Sequence, residues 1–111
     1  SMTFTRRAAI SMTMVLAALL IVPGCTTVTP HQNFKNALQS MIGKNVDTGA
    51  PYSWTRKSAL IDSSPLPNGN ILNRYKYYRG SCIYKFEADP RTRKIVGASF
   101  EGKETDCVLN P

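Results

Sequence analysis

Between Ile71 and Phe100 the chain reads as three short runs in which apolar and polar residues alternate, the period of a strand with one buried face. "ILNRYKYY" puts Ile71, Tyr75 and Tyr77 on one face and Arg74, Lys76 and Tyr78 on the other. "CIYKFEA" sets Cys82, Tyr84 and Phe86 against Lys85 and Glu87, and "KIVGASFEG" is a third strand. Gly80 fits a tight hairpin between the first two runs, and "DPRTR" (89–93) a turn between the last two. Pairing that keeps the apolar residues together sets Phe86 opposite Val96, Tyr84 opposite Ala98 and Cys82 opposite Phe100. The expectation is a three-stranded antiparallel sheet with one apolar face, which something else in the chain must cover.

The cover is upstream. "TPHQNFKNALQSMIGK" carries helix punctuation at both ends. Thr29 can be the N-cap, Pro30 occupies the first helical position where its missing N–H costs nothing, and Gln32 would complete a capping box. Phe34, Leu38, Met41 and Ile42 then form one apolar stripe, and Gly43 stands where a left-handed residue ends a helix. The sequence therefore predicts an α+β domain, one N-terminal helix packed on a three-stranded antiparallel sheet. Between the two parts, residues 44–70 are rich in turn formers, with prolines at 51, 65 and 67 and glycines at 49 and 69. "TRKSALI" within them suits either a short strand or a helical turn. Tyr52 and Trp54 in this stretch either cover the helix and sheet or form a binding surface. With Arg74, Lys76 and Tyr78 from the polar strand face, they make up the candidate binding surface.

The N-terminal end has a different character. Arg6 and Arg7 precede a polar-poor stretch from Ile10 to Val22, and those 13 residues are too few to cross a ~30 Å hydrocarbon core as a helix. A basic start, a short apolar run and a small residue before a cut site make a secretory signal peptide, residues 1–24. Val22-Pro23-Gly24-Cys25 resembles the lipobox of bacterial lipoproteins. The resemblance implies that Cys25 receives a diacylglycerol on sulfur and, after cleavage, an acyl chain on its new amino group. Two or more chains anchor stably where one does not. Residues 25–29 would then be a lipidated tether and 30–111 the α+β domain, held to the lipid bilayer through acylated Cys25. Thr26, in place of an aspartate, implies by the same resemblance sorting to the outer membrane, facing the periplasm.

With Cys25 assigned to lipid, Cys82 and Cys107 remain, and an even pair in a small exported domain reads as one disulfide. The strand register brings Cys82 to the exit of the third strand, within return reach of Cys107. Without residues 1–24, 12 Lys+Arg face 7 Asp+Glu, a modest basic excess that suits lipid headgroups, an anionic polysaccharide or an acidic partner. It is also what an ordinary soluble face carries. Export and the lack of any binding motif argue against nucleic acid.

"LPNGN…Y", "SCIYKFEADPRTRKIVG" and "SFEGKETDC" together resemble a pattern of small proteobacterial envelope lipoproteins, distantly similar to the BamE (SmpA/OmlA) type. That type packs a helical N-terminal part on a three-stranded antiparallel sheet, so the resemblance implies the same architecture and, more remotely, an assembly role. The cysteine pair sets this chain apart, and of that type's glycine pattern Gly43 is the trace. No functional residue carries over.

The catalytic inventory is thin. His31 is the single histidine and sits in the first turn of the helix, where exposure is expected. There is no G-x-S-x-G elbow and no H-E-x-x-H pair. Glu101, Glu104 and Asp106 crowd near Cys107, but three acids on a short polar tail are usually solvated. The expectation is a non-catalytic envelope lipoprotein, a binding or scaffold module for an envelope protein or peptidoglycan, with no metal and no cofactor. An inhibitor of a cell-wall hydrolase is the alternative, and an envelope enzyme a more remote one.

Overall fold

The computed structural model describes residues 27–50 and 52–110. The signal peptide, the cleavage site and Cys25 lie outside the described residues. The fold is α+β: helix α1 (Pro30–Gln39), a 3-10 turn (Lys57–Ala59), then strands β1 (Leu60–Pro65), β2 (Ile71–Lys76), β3 (Ile83–Ala88) and β4 (Ile95–Glu101). The strands form one antiparallel meander in chain order.

Helix α1 starts as its sequence asks. The Thr29 hydroxyl oxygen accepts the N–H of Gln32 at 3.1 Å, with Pro30 in the first turn. Gln32 does not complete the capping box, because its side-chain amide donates to Asn36 at 2.9 Å instead. Phe34 and Leu38 are fully buried, and burying each contributes roughly 1.5–3 kcal/mol. The expected stripe fails at its end. The helix stops at Gln39, so the 3.6-residue phase does not carry to Ile42, which is exposed while Met41 still reaches the core. Gly43 takes the left-handed conformation (φ +93°) and donates its N–H to the Ile95 carbonyl at 2.8 Å, tying the end of the helix to the start of β4.

The sheet has four strands where the alternation predicts three. The additional strand, β1, pairs with β2 through the Leu66–Asn70 turn, and all six of its residues are exposed. An edge strand with no buried face has no hydrophobic period. It is held by ladder hydrogen bonds, by Asp62 gripping Arg74 at 2.8 and 3.0 Å, and by the Ser63 hydroxyl donating to Asn73. The third and fourth strands also pair differently from expectation. Tyr84 faces Phe100 and Phe86 faces Ala98, two residues on from the expected partners. The register then slips between Glu87 and Ala88, which face Gly97 and Ile95, so Val96 is the extra residue of a bulge. Ile95 is consequently buried and Val96 is turned out to solvent. A shift of two preserves the faces of Tyr84, Phe86, Ala98 and Phe100, which is why the core composition survives the wrong register.

The covered face of the sheet is an aromatic cluster. Tyr75 stacks on Tyr84 at 5.1 Å, Trp54 meets Tyr84 edge-on at 5.1 Å, and Phe34 of the helix packs edge-on against Tyr77 at 5.1 Å and Phe100 at 6.0 Å. Cys82 and Cys107 are bonded, with Cα atoms 5.2 Å apart and both residues fully buried.

The domain has two ends. At one, the start of α1 meets the tail: Leu109 donates its N–H to the Pro30 carbonyl at 3.0 Å, and Asn33 donates to the Leu109 carbonyl at 3.0 Å. The Tyr77–Cys82 turn lies at this tail end, since the Tyr77 hydroxyl donates to the Val108 carbonyl at 2.7 Å. At the other end lie the Leu66–Asn70 and Asp89–Lys94 turns and the residues that follow the helix. Six strand residues separate the two by ~20 Å.

Candidate functional site

Residues 52–56 bring Tyr52, Trp54 and Arg56 to the tail end, beside Leu109. Ser53 donates both its N–H (3.1 Å) and its hydroxyl (2.6 Å) to the Ala50 carbonyl, making a tight turn. Tyr52 in that turn has φ +66°, a left-handed conformation that a tyrosine adopts only when its surroundings enforce it, and its side chain is 98% exposed. Two residues on, Trp54 turns inward. Its ring stacks on Tyr77 at 5.8 Å with a 10° tilt, and its carbonyl accepts the Tyr84 hydroxyl at 2.8 Å. The neighbouring Thr55 is buried and its hydroxyl accepts the N–H of Gly49.

These residues wall an open cleft of about 300 Å³ lined by Tyr52, Trp54, Arg56, Tyr77, Tyr78 and Leu109. Its floor is the Trp54–Tyr77 stack, its rims are Tyr52 and Tyr78, which is 73% exposed, and its far wall is Leu109 beside the helix start. Burial, then the adjacent Tyr78 phenol, pushes the Tyr77 hydroxyl up to about 12, against the opposite pull of Arg56 and Arg79 nearby. The cleft is therefore aromatic and uncharged at its floor, with arginines at its margin.

The five candidate surface residues divide. Tyr52, Trp54 and Tyr78 converge on the cleft. Arg74 and Lys76 lie on the uncovered sheet face and are engaged by the protein itself. Arg74 sits between Asp62 and Glu101, at 2.8 and 2.9 Å, and both carboxylates hold its guanidinium charged. The Lys76 ammonium donates to the carbonyls of Tyr77 at 3.0 Å and of Gly80 and Cys82. The separation arises because β2 ends at Lys76 and the chain bends, so Tyr78 leaves the face that strand alternation assigns to it. Arg56 and Leu109 were not foreseen as lining residues; both come from irregular segments without periodicity.

Two of the three tail acids and the Nδ1 of the histidine are also engaged, whereas His31 Nε2 is buried without a hydrogen-bond partner, 3.8 Å from the exposed Glu104 carboxylate. Asp106 accepts the N–H (2.9 Å) and hydroxyl (2.7 Å) of Ser81, which hold its carboxyl below the usual range. Glu101 pairs with Arg74 and Lys85. His31 is not exposed as its place in the first turn suggests. The tail folds over it: Nδ1 donates to the Cys107 carbonyl at 2.8 Å and the ring meets Phe100 edge-on at 5.0 Å. At the distal end Lys44, Arg91 and Lys94 are exposed and make no ion pair among the described residues, whereas Arg93 grips Asp47 at 2.8 Å. No group of three His, Cys, Asp or Glu among the described residues could hold a metal ion, and no described helix is long and apolar enough to cross a membrane.

The fold and cleft define a small disulfide-stapled α+β domain with an aromatic cleft at one end and, among the described residues, unpaired cations at both: Arg56, Arg79 and Lys103 at the cleft end, Lys44, Arg91 and Lys94 at the other. Comparison with family models, with curated proteins and with solved structures finds no significant match.

Proposed function

We propose that the chain is a lipid-anchored, non-catalytic binding module of the bacterial cell envelope, at the outer membrane and facing the periplasm. It is tethered through acylated Cys25 and presents its distal end to an envelope protein or to peptidoglycan. The observation that carries this reading is the polarity of the domain. The chain enters at Pro30, bonded to Leu109 at the tail end beside the aromatic cleft and its arginines, while Lys44, Arg91 and Lys94 form a second group of exposed cations at the end farthest from that entry. An anchored domain so arranged extends its cations ~20 Å further from the bilayer than its point of entry. Carboxylate-bearing glycopeptide or an acidic protein surface is what such a cluster attracts. The buried Cys82–Cys107 bond supports an oxidising compartment. A non-catalytic role is supported by what the polar groups do: His31, Glu101 and Asp106 are each held in structural contacts.

Two measurements test it. Metabolic labelling with a palmitate analogue should mark the wild type and not Cys25→Ser; labelling of the variant, or none of the wild type, removes the anchor. A photo-crosslinker at Arg91 should capture an envelope partner that the same group at Asn36, on the exposed side of α1, does not. Equal capture from both positions removes the distal surface.

A further inference from the structure

We infer that the aromatic cleft at the tail end is a membrane-contact surface: Tyr52, Tyr78 and the mouth over Trp54 rest at the headgroup level of the bilayer that holds Cys25. The inference builds on the anchor reading above and adds how the domain is oriented.

Reach is the first argument. Three residues lie between Cys25 and Thr29, where the helix cap begins, and the four steps of extended chain from one to the other span at most ~14 Å. The start of α1 therefore cannot leave the vicinity of the interface. Leu109, the far wall of the cleft, is hydrogen-bonded to the first residue of that helix, so the cleft stands at the same end as the entry point. The surface nearest the membrane is this one.

Chemistry is the second. Tyr52 is almost fully exposed, Tyr78 is largely so although its ring leans on Tyr77, and Val28 in the tether is half exposed. Amphipathic aromatic rings are the side chains that concentrate at membrane–water interfaces, with one end apolar and the other wet. Arg56 lines the cleft, Arg79 directly follows Tyr78 in the chain, and neither makes an ion pair among the described residues, which suits anionic headgroups. The acids at this end are Glu101, paired with Arg74 and Lys85, Asp106, bound to Ser81, and Glu104, whose carboxylate lies 3.8 Å from His31. The other exposed large apolar residues, Ile42, Leu60, Ile61 and Val96, are aliphatic and lie beyond the helix end, on the edge strand or on β4.

Trp54 is the single tryptophan of the chain, so its emission reports the cleft directly. The acylated full-length protein is reconstituted in phosphatidylethanolamine–phosphatidylglycerol vesicles carrying a nitroxide near the top of the acyl chain. Trp54 emission should be quenched, and the quenching should fall in Tyr52→Ser/Tyr78→Ser, two changes that remove little burial. A tryptophan at the distal turn, Arg91→Trp in a Trp54→Phe background, should not be quenched. Vesicle-bound wild type with unquenched Trp54 overturns the inference and leaves the anchor standing, as does equal quenching at positions 54 and 91. Wild type that fails to stay with the vesicles overturns the anchor reading, and this orientation with it.

Discussion

His31 donates its Nδ1–H to the carbonyl oxygen of Cys107 at 2.8 Å, a contact between residues 76 apart in sequence. It fixes the imidazole tautomer and lets the first turn of the helix hold the tail at the residue that carries the disulfide. His31→Ala leaves that carbonyl under a largely closed surface without its donor. The expected cost is about 1–3 kcal/mol. Lys35→Ala, on the same helix and without such a bond, should change stability little. Urea unfolding of the two variants checks the difference, and equal midpoints would count against a structural role for the histidine.

Cys82 and Cys107 close a loop with a sequence separation of 25, for which the chain-entropy account gives about 3.5 kcal/mol. Cys82→Ser/Cys107→Ser should lose about 2–5 kcal/mol, because the tail is then free in the unfolded chain. Thiol counting on the denatured, unreduced protein should find neither sulfur free. Two free thiols would refute the bridge in solution.

Gly43 and Gly102 both have positive φ, yet their surroundings differ. A Cβ at Gly43 meets nothing within 4 Å, so Gly43→Ala should cost only the left-handed backbone penalty, about 1–2 kcal/mol. A Cβ at Gly102 falls on the backbone carbonyl of Ser81 as well. Gly102→Ala must displace the Ser81 turn, weaken the Asp106–Ser81 contacts and cost more than Gly43→Ala. Thermal unfolding of the pair gives the order directly.

Burial pushes the hydroxyls of Tyr77 and Tyr84 up to about 12 from an ordinary value of 10.0. The unfolded chain therefore releases these protons first as pH rises. Stability from the two phenols is complete below pH 10 and is lost as pH climbs through about 12. Tyr84→Phe removes one of the two titrations, along with the bond to the Trp54 carbonyl, and should flatten the alkaline part of the curve while lowering its neutral plateau. Circular dichroism across that range, with denaturant to bring the transition into view, measures both effects. An unchanged slope in the variant would contradict the assignment.

What the residue pattern discloses, and what it hides, follows from how each element is held. The faces of Tyr75, Tyr77, Cys82, Tyr84 and Phe86 are readable because each strand buries one side, and the Thr29–Pro30 start is readable because capping is local. Strand β1 is not readable: "LIDSSP" buries nothing, so its partner is chosen by backbone hydrogen bonds and by Arg74, not by hydrophobic period. Val96 misleads for a related reason. A bulge adds one residue without changing composition, and only the partner strand reveals it. Of the candidate surface, Trp54 and Tyr52 are suggested by their chemistry, while Tyr78 is separated from Arg74 and Lys76 by a bend that alternation cannot encode.

The meander also sets an order of assembly. Every strand pairs with its neighbour in sequence, so the sheet can zip up hairpin by hairpin, with only short loops to close at each step. Helix α1 has no strand next to it in sequence: beyond its contacts with Trp54 and Tyr77, it must wait for β4 and for the tail, more than fifty residues away. Contacts that span so much chain form late. The first described element in chain order is thus among the last to complete its packing, and its docking brings the two ends of the domain together.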